Sequence, residues 1–207
     1  MRDELSIDNL RQIIKRRISG KRLDHTLEVE REIVRLGEIF LPDQITELRV
    51  AALLHDITKT LTFDEHLAIY EKYNATPSES CLRAHKLLHA QTAVLVVKNE
   101  YRQYDLPDVI SAISNHTSGK VGMSVFDRLL FLADYIEASR TFTDCIVLRD
   151  FFWNGLSDCV TYDSMIAHLN ATMAYGLDLT IKNLIDEGKY IAPETVEARN
   201  WFVSLIS

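Results

Sequence analysis

Leu53-Leu54-His55-Asp56 ends an almost wholly apolar run that begins near Val50, and Ile57, Thr58 and Lys59 follow it. Burying an imidazole, a carboxylate and a lysine side by side is costly unless something holds them. A divalent metal would supply that compensation, because neutral imidazole and ionised carboxylate are both good ligands. Asp134 poses the same problem between Ala133 and Tyr135, inside an otherwise apolar helical stretch where propensity and burial both disfavour it. With His25 the set becomes two imidazoles and two carboxylates, a mixture suited to iron, manganese or another first-row ion rather than to a thiolate-rich zinc site. His89 and His116 admit two readings. They complete a second metal position, with Asp56 bridging two ions about 3.5–4 Å apart, or they contact substrate phosphate while one ion stays among the first four ligands.

The elements that must position these groups read as helices. Only seven glycines and four prolines occur, and no segment alternates apolar and polar residues for long, so an all-α fold is expected. Leu10, Ile13, Ile14 and Ile18 outline a first helix that Gly20 should end. Helical spacing continues from Asp24 to Phe40, and Gln44 to His55 reads as a central helix apolar on nearly every side. Thr62 with Glu65, and Ser124 with Asp127, are capping-box pairs that open further helices, the second running to about Arg140. His85 to Glu100 is helical, and Pro107 opens a helix to about His116, followed by a Thr117-Ser118-Gly119 turn. About three more helices follow, one including Met165 to Tyr175 and the last packing Trp201, Phe202 and Leu205 after Pro193. With no repeat or linker, residues 1–207 read as one domain, its motif-bearing core at about 20–140 and C-terminal helices at about 145–207 packed on it.

Charge and composition narrow the functions. A net charge of −7 argues against broad nucleic-acid binding, yet metals and a few local cations can reverse the field inside one pocket. No run of about 18 apolar residues exists to span a bilayer. The N-terminus mixes Arg2, Asp3 and Glu4 rather than showing a secretory layout, so a cytoplasmic protein is expected. Cys81, Cys145 and Cys159 are odd in number and far apart, which suits reduced core thiols.

Ordered motifs then point to a family. Arg22-x-x-His25, Leu53-Leu54-His55-Asp56-x-x-Lys59, Leu88-His89, His116-Thr117-Ser118-Gly119 and Ala133-Asp134-Tyr135-Ile136-Glu137 with Arg140 closely resemble the YqeK family of HD-domain phosphohydrolases, bacterial symmetrical diadenosine tetraphosphate hydrolases. The resemblance runs from about residue 10 to the Pro193–Trp201 segment with its Thr195, Arg199 and Asn200. It implies an HD-type helical bundle, iron at His25, His55, Asp56 and Asp134, and nucleotide-phosphate contacts from Arg22, Lys59, His89, His116, Thr117 and Arg140. A homodimer is also compatible with it. One departure is Ala138, where the family often has proline, which leaves the path into Arg140 less fixed.

Independent chemistry agrees with these roles. A tetraphosphate is highly anionic, so cations must neutralise charge as a phosphorus–oxygen bond breaks. Lys59 follows the ligand pair directly, and Arg22 lies one helical turn before His25 on the same face. Thr117 and the backbone around Gly119 can donate hydrogen bonds after a helix end. Arg140 is six residues past Asp134 and off its helical face, so a helix end or its long side chain must bring it in.

The expected activity is hydrolysis of diadenosine tetraphosphate to two ADP by metal-activated water, with Asp56, Lys59, His89 and His116 as the catalytic group. Two alternatives are an HD hydrolase for another nucleotide, such as a nucleoside monophosphate or a guanosine polyphosphate, and a metal-containing nucleotide sensor without useful turnover. The intact Lys59 and His116-Thr117-Ser118-Gly119 favour an enzyme. No catalytic role is expected for His66, His85 or His168, and Phe151, Phe152 and Trp153 read as core or dimer contact.

Overall fold

A computed structural model describes residues 6–206, whose regular structure is eleven α-helices and three short 3-10 turns. α1 (Ile7–Arg17) buries Leu10 and Ile14, and Ser6 caps its N-terminus through the Asn9 amide. Gly20 does not end this helix. Ile18 and Ser19 leave it in extended conformation, and Gly20 is the first residue of α2 (Gly20–Phe40).

α3 (Ile45–Leu54) is the expected central helix, with Leu48 and the whole run Val50–Leu54 buried. It packs against α1, α2, α7 and α8. Burial of each such leucine contributes roughly 1.5–3 kcal/mol. Contact with α2 is close at Gly37, where an added Cβ would stand 2.9 Å from a Leu48 methyl carbon. That approach sets His25 of α2 near the end of α3, where His55 and Asp56 leave the helix in a run of turns.

Both capping boxes form. One opens α4 (Phe63–Lys72) and the other opens α8 (Val125–Ile136). Between them lie α5 (Glu79–Arg83), not expected from the sequence, then α6 (Leu88–Glu100) and α7 (Pro107–Asn115) with proline at its first position. α9 (Thr143–Ser157), α10 (Tyr162–Asp186) and α11 (Pro193–Ser204) complete the order. Phe202 is fully buried against α10 while Leu205, expected to pack, is exposed. Among the described residues no helix is long and apolar enough to cross a membrane.

α8 stops four residues before the expected Arg140. Arg149 of α9 explains the stop and fixes the path beyond it: its guanidinium donates to the carbonyl oxygens of Ile136, Glu137 and Arg140. These donors satisfy carbonyls that a helix end leaves without partners. The chain after Ala138 is thereby held without a proline.

Candidate metal centre and phosphate site

Four imidazoles converge from four elements. His25 comes from the second turn of α2, His55 from the end of α3, His89 from the start of α6 and His116 from the end of α7. Three are fastened to their own chain, three residues back. Nδ1 of His55 lies 2.6 Å from the Ala52 carbonyl oxygen, Nδ1 of His89 2.5 Å from that of Lys86, and Nδ1 of His116 2.7 Å from that of Ile113. A carbonyl can only accept, so each Nδ1 carries the proton and each Nε2 presents its lone pair inward. His25 is fastened by a carboxylate instead, with Nδ1 3.0 Å from Glu137 Oε1.

Asp56 stands between these rings. Its Oδ2 is 3.8 Å from His25 Nε2 and 3.5 Å from His55 Nε2, while Oδ1 is 3.2 Å from His89 Nε2 and 3.7 Å from His116 Nε2. Asp134 Oδ1 closes the first side at 2.9 Å from His25 Nε2 and 3.9 Å from His55 Nε2. On the second side the Nε2 atoms of His89 and His116 face each other at 2.9 Å. Two lone pairs at that distance repel unless a proton or a cation lies between them.

A metal fits this donor set. Nε2 of His25, Nε2 of His55 and Oδ1 of Asp56 are buried and make no hydrogen bond, a costly state that metal coordination relieves. Two groups have ligand atoms close enough to share an ion: His25, His55 and Asp134, and His55, Asp56 and His116.

Three cations ring the cluster. Arg22 donates to Asp56 Oδ2, Arg140 Nη2 stands 2.5 Å from Asp134 Oδ1, and Lys59 Nζ lies 3.8 Å from Asp56 Oδ1 and 3.0 Å from His89 Nε2. Each keeps 29–30% of its side-chain surface exposed, so a ligand can reach all three. The early stop of α8 is what returns Arg140 to Asp134. Thr117 Oγ1 is 3.3 Å from His89 Nε2. Gly119 is different: its amide donates to the Asn115 carbonyl oxygen at 2.8 Å, and at φ +69° its Cβ position lies 3.1 Å from Ala198. Glycine is required there for turn geometry and for packing on α11, and its amide is not free to bind phosphate.

The electrostatics follow from burial and these neighbours. Burial alone would raise Asp56 and Asp134, but His55 and Lys59 around Asp56, and Arg140 and His25 around Asp134, hold both carboxyls well below their usual range. Burial, reinforced by Lys59, pushes His89 down to about 3, so its ring is neutral at physiological pH. For His25 burial is outweighed by Asp134 and Glu137, which raise it to about 9.

Glu137 lies in a quoted motif, yet nothing in the sequence pattern assigned it a role. It is fully buried and also accepts from the Ser139 amide and hydroxyl. Also missed was a buried chain behind His89: Thr58 donates to the His89 carbonyl oxygen at 2.7 Å, Thr92 donates to Thr58, and His66 Nδ1 is 2.9 Å from Thr92 Oγ1. Beside the cluster opens a cleft of about 730 Å³, lined by Lys59, His116, Thr117, Asp134 and Arg140 of the site, by the Arg83–Leu87 segment and by residues of α9 and α10.

The HD domain family matches residues 22–139, which hold all four imidazoles and both aspartates, and the chain belongs to that family. Its relatives narrow the class, as the ordered motifs anticipated. Over 180 residues it is 27% identical to the symmetrical bis(5'-nucleosyl)-tetraphosphatase of Staphylococcus aureus, covering 86% of this chain and 90% of that one. The enzyme of the same name from Bacillus subtilis is 27% identical, over 92% and 94% of the two chains. The fold matches a crystal structure from Clostridium acetobutylicum, described as a predicted HD superfamily hydrolase involved in NAD metabolism, with a TM-score of 0.81 and 30% identity over 96% of this chain and 97% of that one.

Proposed function

We propose that this HD-domain hydrolase cleaves diadenosine tetraphosphate symmetrically into two ADP. The observation that carries the reading is charge balance at the cluster. Asp56, Asp134 and Glu137 are opposed by Lys59, Arg22 and Arg140, three formal charges of each sign. A divalent ion therefore leaves the site net positive inside a protein of net charge −7, as an oligophosphate requires. The relatives named as symmetrical tetraphosphatases supply the substrate class.

His25, His55, Asp56 and Asp134 would hold the ion, with iron as the expected metal and manganese as the runner-up. His89 and His116 would hold a second ion through Asp56 or would meet phosphate oxygens directly. Bound there, the metal supplies Lewis acidity, lowering the pKa of water and polarising a phosphoryl oxygen. The chain itself supplies orientation and charge. Asp56 spans both sides of the cluster, and the backbone carbonyls behind His55, His89 and His116 keep their protons on Nδ1. Arg22 and Arg140 present forked donors to the phosphates flanking the scissile bond. Lys59, held between Asp56 and His89, neutralises charge gathering on the departing ADP. Thr117 offers a hydroxyl beside His89.

Incubating iron-loaded protein with diadenosine tetraphosphate and separating the nucleotides tests this directly. ADP as sole product is expected; AMP with ATP, or no turnover, would overturn it.

A further inference from the structure

The segment from the end of α8 into the first turn of α9 carries a pattern that the hydrolytic cluster does not use. Arg140, Phe142 and Asp144 all line the cleft, whereas Thr141 and Thr143 between them do not. Arg140 marks the phosphate end, because its guanidinium reaches Asp134 of the cluster. Phe142 is 67% exposed, an aromatic ring at a cleft wall with most of its surface uncovered. Asp144 is held from two directions. Its Oδ2 accepts from Tyr135 Oη at 3.0 Å and from Asn183 Nδ2 at 3.0 Å, while among the described residues no group engages Oδ1.

We propose that Phe142 and Asp144 form the nucleoside subsite of the cleft, Phe142 stacking on the base and Asp144 Oδ1 accepting from the ribose hydroxyls. The inference rests on the reading of the site as a dinucleoside polyphosphate hydrolase. A nucleoside tethered to a phosphate at Arg140 needs an apolar face for its base and an acceptor for its diol. The next cleft-facing residues supply these in that order. Carboxylates serve ribose in this way in dinucleotide-binding folds, and a flat exposed ring takes a base face regardless of sequence. Tyr135 and Asn183 fix the carboxylate before the ligand arrives, which reduces the entropy lost on binding. Tyr135 is half-buried, and that burial with the neighbouring Asp144 carboxylate holds its phenol protonated, so it remains a donor.

Calorimetric titration of the metal-loaded protein with ADP, 2',3'-dideoxy-ADP and pyrophosphate, beside turnover of diadenosine tetraphosphate, tests the subsite. Asp144→Asn should weaken ADP about tenfold and leave dideoxy-ADP as before, erasing the preference between them. Phe142→Ala should weaken both nucleotides about tenfold and pyrophosphate not at all, and Phe142→Tyr should restore binding. Unchanged ADP affinity in the folded Asp144 and Phe142 variants, or no ADP binding by the parent protein, overturns the subsite. If the parent cleaves the substrate to ADP while the variants bind ADP normally, only the subsite falls. If it does not cleave but the variants lose ADP as stated, only the hydrolase reading falls.

Discussion

The two oxygens of Asp56 look onto unlike surroundings. On the Oδ2 side stand His25, His55 and Asp134, with Glu137 behind His25 and an arginine on each aspartate. On the Oδ1 side stand His89 and His116, with no further carboxylate among the described residues and with the Lys59 ammonium 3.0 Å from His89 Nε2. The first side is rich in anionic ligands and suits a tightly held cation. The second has a single shared carboxylate and a competing positive charge. Even a bound ion there would be held less firmly, and the same nitrogens are well placed to meet phosphate.

The largest effect should come from removing the group both sides share. Asp56→Ala is expected to lose metal from the purified protein and to cut turnover at least about 10³-fold. Elemental analysis beside steady-state kinetics checks this, and full metal retention would break the ligand assignment. His116→Ala separates the two sides: turnover should fall on the order of 10²-fold while the ion on the Oδ2 side stays. A fall from two ions to one per chain assigns the Oδ1 side to metal; an unchanged count assigns it to substrate.

Glu137→Gln sharpens the contrast from behind. Loss of the carboxylate on His25 should weaken metal binding roughly 10–100-fold, and a competitive chelator titration reads it. The smallest effect is one of pH. In metal-stripped protein His25 sits at about 9, above the ordinary imidazole value of about 6.5. Its raised value stabilises the fold fully below about pH 6.5, and that stabilisation is lost as pH rises through about 9. The melting temperature of chelator-treated protein should fall across this window. Metal-loaded protein should not show the fall, because a ligated Nε2 has no proton to release.

The sequence made the candidate metal ligands legible for a physical reason. An aspartate or histidine in a run such as Leu53–Leu54 or Leu132–Ala133 is conspicuous, since burial without a partner would be prohibitive. Helix starts were legible through capping pairs at Thr62 and Ser124, which are local in sequence. What stayed hidden depends on partners far along the chain. Arg149 reads as an ordinary surface charge of α9, yet it sets where α8 ends. Without that stop, Glu137 reads as a position on a continuing helix rather than as the buried support of His25. Asp144 gains its character from Asn183, 39 residues away. Gly20 and Gly119 were conspicuous as glycines, but glycine alone does not say whether it closes a helix, opens one or makes room for a neighbour.

The stop at Ile136 leaves Asp134, Glu137, Arg140, Phe142 and Asp144 within one short span, braced by a single arginine. Its length therefore becomes a matter of register. Inserting one residue after Arg140 would turn the aromatic ring and the second carboxylate away from the opening and leave the metal ligands untouched. Substitutions at 142 and 144, by contrast, would loosen the grip on the nucleoside while displacing none of the candidate metal ligands.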